Sequence, residues 1–245
     1  IKLASHRAFF ISSAFLLIAL ESQHSAARPA GSDPVGPTGG FSLVASSLVP
    51  LSLPLDEDAG QERLGLEPSL LRGLSATPIR VRDGDDASCL NPERAQSPRI
   101  LGIEAKSMEK LGAFALSRGS TGGTTSPWTL LVGPGNPTEV PALVDEATLT
   151  YGLGADLGTR FPVIDETGRT VPLVIVGTLS SSVLQGSLIV DRGAFRRLFP
   201  SISGHRLWLV KSPGSTVAVA RHLEDRLVDL GVHVQTRDGT RHAAR

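Results

Sequence analysis

With 245 residues, 40% of them hydrophobic and 4% aromatic, the chain has room for one large domain or two compact ones and enough apolar side chains for a core. Its 24 Lys plus Arg balance 24 Asp plus Glu, with no local basic run, which removes the usual electrostatic basis for binding nucleic acid; no nucleic-acid partner is expected. A single cysteine, Cys89, excludes an intrachain disulfide and a multi-thiolate metal centre, and 26 Gly with 17 Pro argue against a plain helical bundle.

In chain order, Ala8 to Leu20 is uncharged and follows Lys2 and Arg7. As a helix it measures roughly 20 Å against a hydrocarbon core of about 30 Å, too short to span alone. A signal-peptide h-region, the outer part of a truncated transmembrane helix and a buried amphipathic helix are the competing readings. Glu21 to Gly40 is a Pro/Gly-rich linker. The folded part opens with a strand at Phe41 to Val49, an acidic loop at Asp56 to Arg63 and a short helix at Glu67 to Leu74 with Pro68 in its first turn. A second strand holds Ile79 and Val81 and ends at the turn Asp83-Gly84; a third spans Arg99 to Ile103, followed by a helical patch from Glu104 to Leu111.

From Gly119 to Ser126 the chain is rich in Gly, Ser and Thr, a loop or subdomain boundary whose glycines near 119–123 are a candidate hinge. Short β-rich runs then follow at Trp128 to Val132, Val140 to Val144, Arg160 to Ile164, Val171 to Val176 and Ser187 to Val190, with a hairpin at Asp165 to Gly168. Asp191 is placed to cap a helix running to Phe199, before Pro200. Leu207 to Val210 is a strand and Thr216 to Leu230 a helix, with Ala220, Leu223, Leu227 and Leu230 on its apolar stripe. Gly231 stops that helix before a last strand, Val232 to Gln235. Strand, helix and strand in this order make a βαβ unit.

No catalytic constellation emerges. Gly152-Leu-Gly154-Ala-Asp-Leu-Gly158 is one residue too long for a dinucleotide fingerprint, and Gly133-Pro-Gly135 lacks the Lys-Ser/Thr of a phosphate loop; both read as turns. The histidines His6, His24, His205, His222, His233 and His242 lack metal-ligand spacing, and His222 and His233 read as solvent-facing. Ser180-Ser-Ser lacks a nucleophile elbow. The acidic groups Asp83, Asp85, Asp86 and Asp56, Glu57, Asp58 lack the alternating ligands of a calcium loop and read as solvated turns, and Cys89 reads as a small packing residue. No catalytic, cofactor-binding or metal-binding residue is expected.

Several stretches together carry a family resemblance. Gly39-Gly40-Phe41-Ser-Leu-Val-Ala after the apolar segment and linker, Gly84-Asp-Asp-Ala-Ser-Cys89-Leu-Asn and Pro98-Arg-Ile-Leu-Gly-Ile103 are similar to the extracytoplasmic domain of FtsX-like ABC transporter permeases. Val140-Pro-Ala-Leu-Val-Asp-Glu146, Leu157-Gly158, Val174-Ile-Val-Gly177 and Gln185-Gly-Ser-Leu-Ile189 also match that family's pattern of short strands. The resemblance implies a MacB-like periplasmic core of α+β class: a split βαβ-containing subdomain with an inserted small, mostly antiparallel β subdomain, preceded by a short membrane-proximal helix.

The corresponding segments are 1–24 membrane-proximal, a truncated transmembrane helix; 25–40 linker; 41–126 with 191–237 as the α/β subdomain; 127–190 as the β-rich insert; and 238–245 as the start of a helix returning to the membrane. Starting at Ile1 and stopping at Arg245, the chain reads as a piece of a longer permease. The resemblance further implies a non-enzymatic part in the cell membrane, its folded domain outside the cytoplasm, working with a separate ATP-binding subunit and a homo- or heterodimeric permease partner. A secreted or periplasmic α/β binding protein with an N-terminal signal peptide is the alternative.

Overall fold

A computed structural model describes residues 36–84, 97–119, 126–132, 138–180 and 182–236. The expected apolar segment 1–24, most of the linker, most of the 119–123 junction, Asp85, Asp86, Cys89, the Gly133-Pro-Gly135 turn and the 238–245 helix lie outside these residues.

In chain order come β1 (Leu43–Leu51), α1 (Asp58–Arg63), α2 (Pro68–Leu71), β2 (Ser75–Arg82), β3 (Arg99–Ile103), α3 (Ala105–Lys110) and β4 (Leu116–Gly119). A 3₁₀ turn at Pro127–Leu131, β5 (Val140–Asp145), a π-helical turn at Thr148–Leu153, β6 (Arg160–Ile164), β7 (Thr170–Leu179) and β8 (Ser187–Asp191) follow. The described chain ends with α4 (Arg192–Leu198), β9 (His205–Lys211), α5 (Thr216–Arg226), a 3₁₀ turn at Val228–Leu230 and β10 (His233–Thr236).

Pairing explains the architecture. β1 is antiparallel to both β9 and β10, and β9 is antiparallel to β2, giving the order β10-β1-β9-β2. So β1 and β2 run parallel with β9 between them, and β9 and β10 run parallel with β1 between them. Helices α1 and α2 connect the first pair and α5 the second, which makes two split βαβ units interlocked in a ferredoxin-like sheet. Everything from β3 to α4 is inserted between β2 and β9.

Strand β2 is the bridge to that insert. Ser75 to Ile79 pair with β9, whereas Arg80 to Arg82 pair with Gly102 to Ile100 of β3. The sheet then continues β3-β8-β5-β7, with β4 and β6 both on β7. The β5–β8, β4–β7 and β6–β7 pairs are antiparallel; β3–β8 and β5–β7 are parallel. The fold is α+β with a mixed sheet. By pairing, 99–119 and α4 stand with the inserted strands, a wider insert than the expected 127–190.

Local chemistry accounts for most elements. Asp191 caps α4 by accepting from Gly193 N at 2.8 Å, and Ser215 caps α5 through Ala218 N at 3.4 Å. Gly231 ends the last helical turn at φ +62°, in the left-handed region that glycine enters without steric cost. Asp165 organises the β6–β7 hairpin, its Oδ1 accepting from Thr167 N and Arg169 N, each at 2.9 Å.

Three clusters form the core. One lies under α5, α1 and α2 on the outer sheet and centres on Trp208, Leu43, Val210 and Leu223. A second lies under α4 and centres on Phe195, Ile100, Leu149 and Ile175. The third joins both halves, with Phe41 from the segment before β1 and Ile79, Leu207 and Leu209 from the outer strands packed against Leu101, Leu143, Leu179 and Ile189 from the insert.

Three local expectations are corrected. The acidic loop at Asp56 to Arg63 contains helix α1, because Gln61 is buried and donates from Nε2 to Leu55 O at 3.0 Å, anchoring the turn. The run at Trp128 is a 3₁₀ turn with Pro127 at its start, and its indole Nε1 donates to Ala113 O at 2.6 Å instead of the run joining the sheet. The last helix is α-helical only to Arg226 and finishes as 3₁₀.

Candidate functional site

The distinctive polar feature is a set of arginines that the fold gathers from separate segments. Along β2, alternation sends Ile79 and Val81 into the core shared by both halves, and Arg80 and Arg82 to the opposite face. On that face Phe195 of α4 packs directly on Gly102 of β3, the residue paired with Arg80: a Cβ at Gly102 would sit 2.5 Å from Phe195 Cγ. The arginines therefore stand at the flank of α4.

Arg80 is half-buried. Its Nη1 donates to Ile202 O, and its Nε is buried without an acceptor. Burial holds the guanidinium pKa below its usual range, and the neighbouring charges of Arg196 and Arg192 push the same way. Those two residues lie one turn apart on α4, so they share a flank. Arg192 is ion-paired with Glu104, whereas no ion pair involves Arg196 among the described residues. Arg82 stacks its guanidinium 5.3 Å from the Phe199 ring centroid and donates to Ser97 Oγ at 3.1 Å. Nearby, Arg206 is paired with Asp83. His205, at the start of β9, has its pKa lowered by burial first and by Arg80 second. Guanidinium groups are donors suited to anions, and among these described residues no nucleophile stands beside a base.

Two clefts flank this region. One, of about 350 Å³, is bounded by Thr138, Arg169, Thr170, Arg197 and Leu198. The other, of about 360 Å³, lies between the β1–α1 connection and the sheet, against Pro78, His205 and Trp208. Both are near the lower end of small-molecule pockets.

The residues weighed from sequence fall elsewhere. Gly154 and Gly158 have φ of +57° and +83° and make turns, and Gly152 lies within the π-helical turn. Ser182 is buried, and its Oγ accepts from Leu184 N at 3.0 Å, a loop-closing role. Asp56 is more than a solvated turn residue: its Oδ2 accepts from Ala76 N at 3.1 Å, tying the loop before α1 to β2. His222 is half-buried rather than solvent-facing, because its Nε2 accepts from Glu67 N at 2.9 Å and joins α5 to the start of α2. His233 is exposed and its Nδ1 lies 3.0 Å from Glu224. Among the described residues no three His, Cys, Asp or Glu gather closely enough to hold a metal ion, and no helix is long and apolar enough to cross a membrane.

The arginine set escaped the sequence because Arg80 and Arg82, Arg192 and Arg196, and Arg206 are brought together only by strand pairing. A hint was available in the strand at Ile79 and Val81, whose alternate residues are both arginine.

No protein-family model and no curated protein matches the chain. Among solved structures it is similar to the periplasmic region of MacB from Actinobacillus actinomycetemcomitans, with 13% identity over 83% of this chain and 92% of that one and a TM-score of 0.40. A domain of a Porphyromonas gingivalis protein described as a permease gives 14% identity, 80% and 86% coverage and a TM-score of 0.38. The extracellular domain of the noncanonic ABC-type transporter YknZ from Gram-positive bacteria gives 12% identity, 78% and 100% coverage and a TM-score of 0.32.

Proposed function

We propose that this chain is the extracytoplasmic domain of an ABC transporter permease, a non-enzymatic part that couples ATP-driven motion of membrane helices to a substrate or partner outside the cell. The supporting observation is topological. A split βαβ sheet is interrupted between β2 and β9 by a β-rich insert, the arrangement implied by the motifs at Gly39 to Ala45, Pro98 to Ile103 and Gln185 to Ile189. The apolar Ala8 to Leu20 segment, preceded by Lys2 and Arg7, supplies the membrane-proximal end, with its N-terminal side cytoplasmic. ATP is bound by a separate subunit, and a second permease subunit completes the pair. The shared core across the two halves suits a mechanical role, because close-packed interiors resist compression and pass on displacement.

A secreted or periplasmic α/β binding protein is the second reading, favoured by the 360 Å³ cleft beside Trp208. One experiment separates the two. Tyr151 is 70% exposed, so a Tyr151→Cys, Cys89→Ser variant carries one accessible thiol. In intact cells a membrane-impermeant maleimide is expected to label it, and alkaline carbonate is expected to leave the labelled protein in the membrane fraction. Labelling only after lysis overturns extracytoplasmic placement; release by carbonate favours the binding protein.

A further inference from the structure

We infer that Gly36 to Ser42, the stretch of chain entering β1, is a strap that ties the insert to the outer sheet and fixes the angle between them.

This stretch leads into β1 and so belongs by connectivity to the outer sheet; nothing in the order of elements requires it to meet the insert. It meets both. On the outer side Ser42 N donates to Val210 O of β9 at 2.8 Å, and Ser42 Oγ accepts from Ser212 N at 3.3 Å. Lys211 Nζ lies 5.2 Å from the centre of the Phe41 ring. On the insert side Pro37 O accepts from Val183 N at 3.0 Å, in the loop between β7 and β8. The Phe41 and Phe114 ring centroids are 6.3 Å apart, and Phe114 in turn meets Trp128 edge-on at 6.1 Å. Between these two sets of contacts the strap has little slack. Gly39 N donates to Gly36 O at 2.8 Å and Phe41 N to Thr38 O at 3.1 Å, which folds it into two successive turns.

Gly39 is where the strap presses on the insert. Its φ is +58°, and a Cβ there would fall 2.6 Å from the Phe114 ring, so glycine is required both by backbone angle and by contact. A displacement of the chain ahead of Gly36 therefore reaches the insert through Pro37 and Phe114 as directly as it reaches β9 through Ser42. In the transport reading that chain comes from the apolar Ala8 to Leu20 segment, and the strap is where membrane motion turns the insert against the outer sheet. This consequence rests on the transport reading; the tie between the two halves does not.

The test puts spin labels on the full chain at Tyr151→Cys in the insert and Arg226→Cys on α5, both exposed, with Cys89→Ser removing the native thiol. Double electron–electron resonance then reads the distance between the halves. One narrow distribution is expected with the strap intact. Gly39→Ala and the milder Phe41→Leu are each expected to broaden it about twofold by releasing the strap. Leu66→Val, between α1 and α2 in the outer core cluster, is the control: it is expected to lower the urea midpoint and leave the distribution narrow. Phe41→Leu decides the matter if Gly39→Ala does not fold. A broad distribution with the strap intact, no broadening in Phe41→Leu, or equal broadening in Leu66→Val overturns the strap. The maleimide labelling that tests the transport reading is independent of all three results.

Discussion

Asp145 is 1% exposed, and its carboxylate accepts three backbone hydrogen bonds: from Ala147 N at 2.9 Å, Thr148 N at 3.4 Å and Ser182 N at 2.9 Å. It joins the end of β5 to the loop before β8, and Thr148 reinforces the junction by accepting from Gly186 N. Asp145→Ala strands buried N–H groups without acceptors, so a loss of roughly 3 kcal/mol is expected in urea unfolding. Asp165 makes a different prediction. Hydrogen bonds from Thr167 first, and then from Arg169, outweigh its burial and hold its carboxyl well below the usual carboxylate range. A lowered folded pKa means that its contribution is complete above the unfolded value of about 3.9 and is lost as pH falls toward the folded one. The wild-type chain is therefore expected to be more stable than Asp165→Asn at pH 7, with the gap in urea midpoint narrowing at pH 3. An unchanged gap would remove the carboxylate from the account. Neither network was legible beforehand. Asp145 stood in a family motif with no visible partner, whereas Asp165 was placed in the right hairpin because its turn chemistry is local.

At the scale of elements, α4 and β3 meet where glycine is required by contact. A Cβ on Gly102 falls 2.5 Å from Phe195 Cγ, so Gly102→Ala has to push α4 off the sheet, at an expected cost of about 1–3 kcal/mol. Thermal unfolding measures it, and Gly102→Ala combined with Phe195→Leu is expected to recover part of the loss. The smaller side chain recovering nothing would place the cost elsewhere. Elements with a strong local code were legible from sequence: α5 through its apolar stripe and Gly231, α4 through Asp191 and Pro200, and β6 with β7 through their turn. Trp128 to Leu131 was misread because its composition is that of a strand, while its conformation is decided by a distant carbonyl at Ala113 and by the edge-on contact of Trp128 with Phe114. Phe114 itself sits at φ +60°, an unfavourable angle for a bulky residue, held by its packing on Gly39, Phe41 and Trp128. No local pattern announces such a contact.

For the whole molecule, the shared core makes the two halves of the sheet interdependent. Ile79 and Leu209 of the outer strands are fully buried in the cluster that also holds Leu101, Leu143 and Ile189. A single calorimetric transition with matching calorimetric and van't Hoff enthalpies is expected; two separated transitions would mean that the halves fold independently. An insert was legible from the run of short strands between two α/β stretches together with the family resemblance, whereas the order of strands in the sheet was not. The extent of the insert was not, because the parallel pairing of β3 with β8 joins residues far apart in the chain. The same long-range closure assembled the arginines.

The β2–β9 ladder also sets a timetable. Ser75 pairs with Lys211 and Ile79 with Leu207, so these two strands are a hairpin whose turn has been replaced by the entire insert. During synthesis β1 and β2 leave the ribosome long before their common neighbour β9 exists, while β3 through β8 can already pair among themselves. The insert is expected to nucleate first, and the outer sheet to close last around β9. Closing so wide a loop is slow, and it leaves the β1 edge unpaired in the meantime. A nascent chain stopped before His205 is therefore the form most in need of a chaperone.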